Sequence, residues 1–345
     1  MWNKNTLILS LILLSITLIS FRKFSIISNK KLVEIEYPKE WPKPVYDFKN
    51  NPLDSSKIEL GRKLFYDPIL SLNNTISCGS CHLSFTAFTH VDHELSHGIN
   101  DSIGTRNSPV LINLAWNKHF MWDGGVNHID AQALAPITNP VEMAETITGV
   151  VDKLQKSEKY PKLFLEAFGD SIVTGEHLLK AIAQFQLTLV SANSKYDKVK
   201  KGETIFTSQE KNGYKLFKQH CNSCHTEPLF TNGGFANNGL CIDTTLNDYG
   251  RINITQNSED SLKFKIPTLR NIEFSFPYMH DGRFKKISDV LDHYSNGISN
   301  SKTLDPELIK KLILTSNEKV DLTAFLLTLT DKEFLFNPKF SFPRN

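Results

Sequence analysis

Two CxxCH segments constrain this chain more than anything else in it: Cys78-Gly-Ser-Cys81-His82 and Cys221-Asn-Ser-Cys224-His225. The motif has a mechanical reading. Two thiols add across the two vinyl groups of a haem, and the next residue, histidine, falls beneath the iron as an axial ligand. A zinc ribbon would place its cysteine pairs about 12–20 residues apart; here the first cysteines are 143 residues apart. A pair of redox dithiols has no use for a histidine after each. The two segments therefore predict two covalently bound haem c groups. The fifth cysteine, Cys241, reads as a small, partly buried thiol.

The spacing is one domain length, and a weak repeat runs with it. Gly61-Arg-Lys-Leu-Phe65 precedes the first motif and Gly213-Tyr-Lys-Leu-Phe217 the second. A chain of 345 residues predicts about two domains at roughly 150 residues each, so each domain is expected to carry one copy. With 40% hydrophobic residues and 23 Phe there is apolar mass for real cores. The net charge of +2 gives no basic excess to attract nucleic acid. Leu178, Ile182, Phe185 and Leu189 follow a helical stripe, and Lys319 to Thr330 reads as a strong apolar helix. Alternating β-branched runs are scarce. The expected fold is mainly α, with two cytochrome c-like domains and long irregular loops.

Residues 1–31 read as an export segment. Lys4 opens it, and Leu7 to Phe21 is an apolar run broken only by Ser and Thr. The run is short for a membrane span, which favours a cleaved signal over a retained anchor and implies a periplasmic location. Residues 32–54, with Pro38, Pro42, Pro44 and Pro52, predict an extended lead-in. Residues 55–195 and 196–345 are then the two haem domains, with the polar stretch Ser191 to Glu203 as linker.

Two haems alone do not make an enzyme. A carrier closes both irons with a sixth ligand, whereas a peroxidase keeps one open beside an acid/base. The segment from Phe120-Met-Trp122 through Gln132 to Pro140-Val-Glu142-Met143 sets a Gln and a Glu on either side of a proline-punctuated turn. This stretch resembles the bacterial di-haem cytochrome c peroxidase family, which includes MauG-like enzymes. Leu64-Phe-Tyr-Asp-Pro68, Gly104-Thr-Arg-Asn-Ser-Pro109, Pro267-Thr-Leu-Arg-Asn271, Tyr278-Met-His-Asp-Gly282 and Phe325-Leu-Leu-Thr-Leu329 carry it from about residue 55 to residue 335.

The resemblance implies roles residue by residue. Glu142 matches the catalytic carboxylate over the N-terminal haem, Gln132 a distal hydrogen-bonding residue, and Trp122 the tryptophan between the haems. Asn107 matches a side-chain ligand of a calcium ion whose other ligands are the backbone carbonyls of Ser275 and Pro277, a hard-oxygen set suited to Ca²⁺. In one branch a loop histidine closes the N-terminal iron until the other haem is reduced; His97, near His90 and His93, is the best match. At the C-terminal iron the peroxidases use Met and MauG-like enzymes Tyr. The matching position is Tyr294, with Met279 the alternative. Methionine favours ferrous iron, and a tyrosinate oxygen favours ferric iron.

The expected function is reduction of hydrogen peroxide to water with electrons from a small c-type cytochrome or a cupredoxin. A MauG-like enzyme oxidising residues of a protein partner is the first alternative, supported by Tyr294. A non-catalytic di-haem electron carrier is the second, opposed by Glu142 and Gln132. Many members of the family are homodimers, and no residue here decides that point.

Overall fold

The computed structural model describes residues 32–343, so the export reading of residues 1–31 lies outside the described part. No helix among the described residues is long and apolar enough to cross a membrane. The chain is mainly helical and is organised around two helix pairs. Helix α1 (Ser55–Tyr66) packs on α2 (Gly175–Leu187), and α3 (Ser208–His220) packs on α4 (Ser316–Leu327). One short antiparallel ribbon sets Phe235–Ala236 (β1) against Phe264–Lys265 (β2), with Phe235 opposite Lys265.

Each helix of the two pairs starts on a side-chain cap. Asp54 accepts from the amides of Ser56 and Lys57, and Thr174 from that of His177. Thr207 with Glu210 and Thr315 with Glu318 form reciprocal capping boxes, which satisfy amides that the first turn leaves unpaired. The apolar stripe on α2 is buried as expected: Leu178, Ile182 and Phe185 face inward, and Leu189 is buried just past the helix end.

The sequence repeat is a repeat in space. A Cβ on Gly61 would lie 1.9 Å from the carbonyl oxygen of Ala181 on α2, and one on Gly213 would lie 1.9 Å from that of Asp321 on α4. Each glycine marks the point where its helix crosses the closing helix of its pair, backbone against backbone. The two copies diverge past the helix end. Helix α3 runs directly into Cys221, while residues 67–77 separate α1 from Cys78. An exposed helical Gly→Ala change stabilises by about 0.5–1 kcal/mol. At Gly213 the added methyl instead forces the helices apart, and overpacking of that kind costs about 1–3 kcal/mol. Gly213→Ala is therefore expected to lower the denaturation midpoint in a urea or thermal melt.

Three apolar clusters form the core. One lies under α1 and α2 with Val150, Leu154, Tyr160 and Phe164. One lies under α3 and α4 with Tyr196, Phe230 and Leu291. The third joins Trp41, Phe65, Phe88, Trp116 and Phe185 to Phe334 and Leu335 from the far end of the chain. Residues near the end of the described chain thus pack on the N-terminal half: the Tyr66 hydroxyl donates to the Phe340 carbonyl at 2.6 Å, and Arg62 reaches the Ser341 carbonyl at 2.8 Å.

The stretch Ser191 to Glu203, read from its polarity as a linker, is packed into the protein over its first part, with Ser191, Ser194, Tyr196 and Asp197 buried and residues 200–203 exposed. Ser194 caps a short helix, Lys195–Lys200, on which Asp197 is buried. Asp197 takes a bidentate pair of 2.8 Å hydrogen bonds from Arg270, whose side chain is fully buried. The guanidinium also donates to the Pro228 carbonyl at 2.9 Å and lies 4.6 Å from the Trp41 ring centre. Polar composition did not reveal this packing because the buried charge, Asp197, faces a partner distant in the sequence.

Candidate functional site

At the first motif, Cys78–Cys81 forms one helical turn, and the Ser80 hydroxyl accepts a hydrogen bond from the Ser77 amide. His82 comes at its end. Its Nδ1–H donates to the Phe88 carbonyl at 2.6 Å, which leaves Nε2 as a free lone pair. Burial pushes its pKa down to about 4, so the ring stays neutral. At the second motif the Nδ1–H of His225 is shared between the carbonyls of Phe230 (3.2 Å) and Pro267 (3.1 Å), and burial again lowers its pKa. Burial pushes the thiols up, to about 12 at Cys78, 11 at Cys81 and 12 at Cys221. A neutral imidazole with its outer nitrogen engaged by a carbonyl is what an axial iron ligand requires. Both motifs fit a haem.

The surroundings of the two motifs differ. Around the first, the backbone of 97–99 is clamped between Cys81 and the turn bearing Glu142. The Cys81 thiol lies 3.4 Å from the His97 carbonyl, and the Ile99 amide donates to the Glu142 carbonyl at 2.8 Å. Glu142 lies within electrostatic reach of both Cys78 and Cys81. Burial raises its pKa, opposed by a 2.7 Å hydrogen bond from Asn139. Gln132 is buried at the end of its own short helix, Ile129–Gln132. Its carbonyl accepts from Gln186 at 3.0 Å and its amide nitrogen lies 3.8 Å from the Met121 sulfur. The His97 ring bonds Asp101 at 2.8 Å and stacks on His93 with centroids 4.1 Å apart.

Around the second motif two other side chains gather on Asn238. Its amide nitrogen lies 3.3 Å from the Met279 sulfur, and its side chain also hydrogen-bonds the Tyr294 hydroxyl. Tyr294 is close enough to Cys221 and Cys224 to feel their charge, and burial pushes its pKa up to about 12. It sits in a π-helical turn, His293–Gly297, directly after the helix Ile287–Asp292. Such turns re-aim a side chain and recur at functional sites. The turn is anchored by His293, whose Nε2 lies 2.9 Å from the Asn238 carbonyl.

Trp122 lies between the two halves. Its indole N–H donates to the Asn107 carbonyl at 2.8 Å, and its own carbonyl accepts from the Lys265 amide on β2 at 2.7 Å. The Asn107 amide donates in turn to the His280 carbonyl at 2.7 Å, three residues beyond Pro277. Asn107 is buried, and its side-chain nitrogen donates to the Glu94 carbonyl at 2.9 Å. That leaves its Oδ1 without a partner among the described residues, as a hard-cation ligand would be. Pro277 is buried and Ser275 half-buried.

Several residues here carried no readable signal in the sequence. Asn238 is set by contacts 41 residues and more away. Arg106 lies within the Gly104–Pro109 motif, yet its part emerges only in space: it bridges Asp123 at 2.6 Å and Asp248 at 2.6 Å, across the joint between the halves. Asn139 had a local clue, lying three residues before Glu142. Cys241 is exposed, not partly buried, with its sulfur 2.7 Å from the Ser299 hydroxyl.

Comparison with known proteins agrees with this geometry. Residues 55–205 match the family profile described as di-haem cytochrome c peroxidase. The methylamine utilization protein MauG of Methylorubrum extorquens is 36% identical over 300 residues, 84% of this chain and 82% of that protein. The cytochrome c551 peroxidase of Nitrosomonas europaea is 33% identical, over 85% of this chain and 84% of its own. Among solved structures, a MauG-like protein associated with microbial copper homeostasis superposes with a TM-score of 0.80 at 32% identity, covering 90% of this chain and 99% of that one. The fold and the paired motifs define a haem oxidoreductase with two haem c groups. The chain belongs to the di-haem cytochrome c peroxidase family, in which proteins named as peroxidases and proteins named MauG both occur.

Proposed function

We propose that this chain is an exported di-haem peroxidase that reduces hydrogen peroxide to water in the periplasm. Residues 55–195 and 196–345 form two cytochrome c-like domains, each with one haem attached through its cysteine pair and held by His82 or His225. One observation carries the reading. A half-buried carboxylate, Glu142, stands by the first motif, whereas Tyr294 and Met279 stand by the second. One motif is thus furnished with an acid/base and the other with side chains that could ligate a haem iron. A pure electron carrier has no use for that asymmetry.

When bound, the haems supply the iron chemistry of O–O cleavage and the storage of electrons. The chain's own residues supply the rest. Glu142 takes the proton from the near oxygen of peroxide and delivers it to the leaving oxygen, and its raised pKa suits both tasks. Gln132 holds the polar side of that pocket. Trp122, bonded to both halves, is the electron bridge. With two electrons and two protons, one peroxide gives two waters. Tyr294 would hold the C-terminal haem iron, the choice supported by its π-turn placement, with Met279 as the alternative. Asn107, through its unpartnered Oδ1, and the carbonyls of Ser275 and Pro277 hold a calcium ion. His97, in the conformation seen, is engaged with Asp101. Its assigned part is the reversible closing of the N-terminal iron.

The test is peroxide-dependent oxidation of a reduced small c-type cytochrome or a cupredoxin by the purified di-haem protein, run as isolated and after pre-reduction of one haem. Turnover only after pre-reduction identifies a gated peroxidase with a ligand such as His97 that must leave. Turnover in both states identifies a permanently open N-terminal iron. A stable oxidised spectrum after peroxide without cytochrome turnover supports the MauG-like alternative, for which Tyr294 is the favouring observation. No reaction with peroxide overturns the enzyme reading and leaves an electron carrier.

A further inference from the structure

The side chain of Lys265, on β2, has no part in the peroxide chemistry. It is half-buried at the joint. Its backbone is fully committed to the joint: the amide donates to the Trp122 carbonyl, and two residues on, the Pro267 carbonyl receives the Nδ1–H of His225. Its ammonium has no hydrogen bond and no ion pair among the described residues. The other buried cations of the joint are paired, Arg106 with Asp123 and Asp248 and Arg270 with Asp197. An ammonium partly withdrawn from water without an acceptor carries a desolvation cost, which an anion beside it would offset.

A second, independent orphan lies beside it. The Nδ1 of His119 is buried without a partner. The His119 ring packs on Phe235, the residue opposite Lys265, with centroids 5.5 Å apart. Arg251 also lies over the Phe235 ring, 3.9 Å from its centre. Lys265, Arg251 and Lys118 all lie within electrostatic reach of His119. Of these, Arg251 is turned toward Asp260 and the Asp123 carbonyl, and Lys118 is exposed. That leaves a lysine and an imidazole nitrogen, both unsatisfied, on the same wall next to Trp122.

We propose that Lys265, with His119 beside it, seats a propionate of the C-terminal haem at the joint between the halves, and that this pairing raises the reduction potential of that haem. The inference rests on the di-haem reading. The assignment to the C-terminal haem comes from the Lys265-Ile-Pro267 stretch, which also buttresses His225. The sign comes from charge: a fixed cation near the porphyrin stabilises the reduced state, which carries one positive charge fewer. Burial pushes the Lys265 pKa down to about 8. A carboxylate partner reverses that pressure and keeps the charge in place at neutral pH.

The experiment is a spectroelectrochemical titration of both haems, with resonance Raman of the propionate bending bands, on K265Q, K265R and K118Q. K265Q is expected to keep two haems, to show a lower potential at the C-terminal haem and to shift its propionate band. K265R is expected to restore the potential, and K118Q to match the unaltered protein in both readouts. Unchanged potential and band in fully loaded K265Q overturn the proposal, as does a shift confined to the N-terminal haem. If K265Q does not retain its haems, K265R decides. A displaced propionate band with the charge kept supports the pairing, and an unmoved band refutes it. None of these readouts needs peroxide or an electron donor, so failure of the peroxidase reading leaves this test intact.

Discussion

Glu142→Gln is expected to slow the reaction with peroxide by about 10²- to 10⁴-fold, the usual worth of a positioned acid/base, while two haems stay attached. Glutamine keeps the shape and still offers an oxygen to Asn139, which now donates to Glu142 at 2.7 Å. It cannot accept and return a proton. The loss is therefore expected in the rate of reaction with peroxide, read by stopped-flow absorbance, and not in haem content. The pH profile carries the same signature. Burial raises the Glu142 pKa, and the working form is the carboxylate. The rate of the unaltered protein should fall as pH drops through that raised pKa, and E142Q should lose this limb. A variant with full haem and an unchanged rate would remove Glu142 from the chemistry.

Tyr294→Met is expected to raise the potential of the C-terminal haem by a sizeable part of the roughly 0.8 V that axial ligands span. Thioether ligation favours ferrous iron, and a phenolate favours ferric iron. The substitution also leaves the Asn238 side chain, now shared with Met279 and Tyr294, without its hydroxyl partner. A redox titration separates the two candidates. If Tyr294 is the ligand, Y294M moves the potential sharply and Met279→Leu moves it little. The opposite order would install Met279 and withdraw the main support for the MauG-like alternative. A higher potential would also make the C-terminal haem easier to reduce, and so favour turnover with an ordinary cytochrome as donor.

Features written locally in the chain were legible before folding. The CxxCH pairs name their cofactor within five residues each. Gly61 and Gly213 could be matched because the repeat around them is contiguous, and both turn out to sit at helix crossings. The α2 stripe was legible from its period alone. Features set by contacts distant in sequence stayed hidden. Asp197 lay unmarked in a stretch read as a polar linker because its partner Arg270 lies 73 residues away. Asn238 and Lys265 sit in segments whose composition says loop and surface. Their environments come from Met279, His293, Trp122 and Phe235, none of them a neighbour in the chain. The far end of the chain could not be placed on the N-terminal half either. Phe334, Leu335 and Phe340 spell only an apolar tail until α1 presents Tyr66 and Arg62 to it.

That tail has a consequence for how the molecule passes charge. Electron transfer between two fixed centres falls off exponentially with the gap between them, so a joint that flexes would make the rate erratic. Here the joint is stitched at its middle by Trp122, Asn107 and His280, and by Arg106 across Asp123 and Asp248. Residues near the end of the chain add a strap, where Arg62 and Tyr66 hold Ser341 and Phe340. A tail packed into the same apolar cluster as Phe88 and Cys78 thereby acts as a ruler, helping to hold constant the span across which charge must hop.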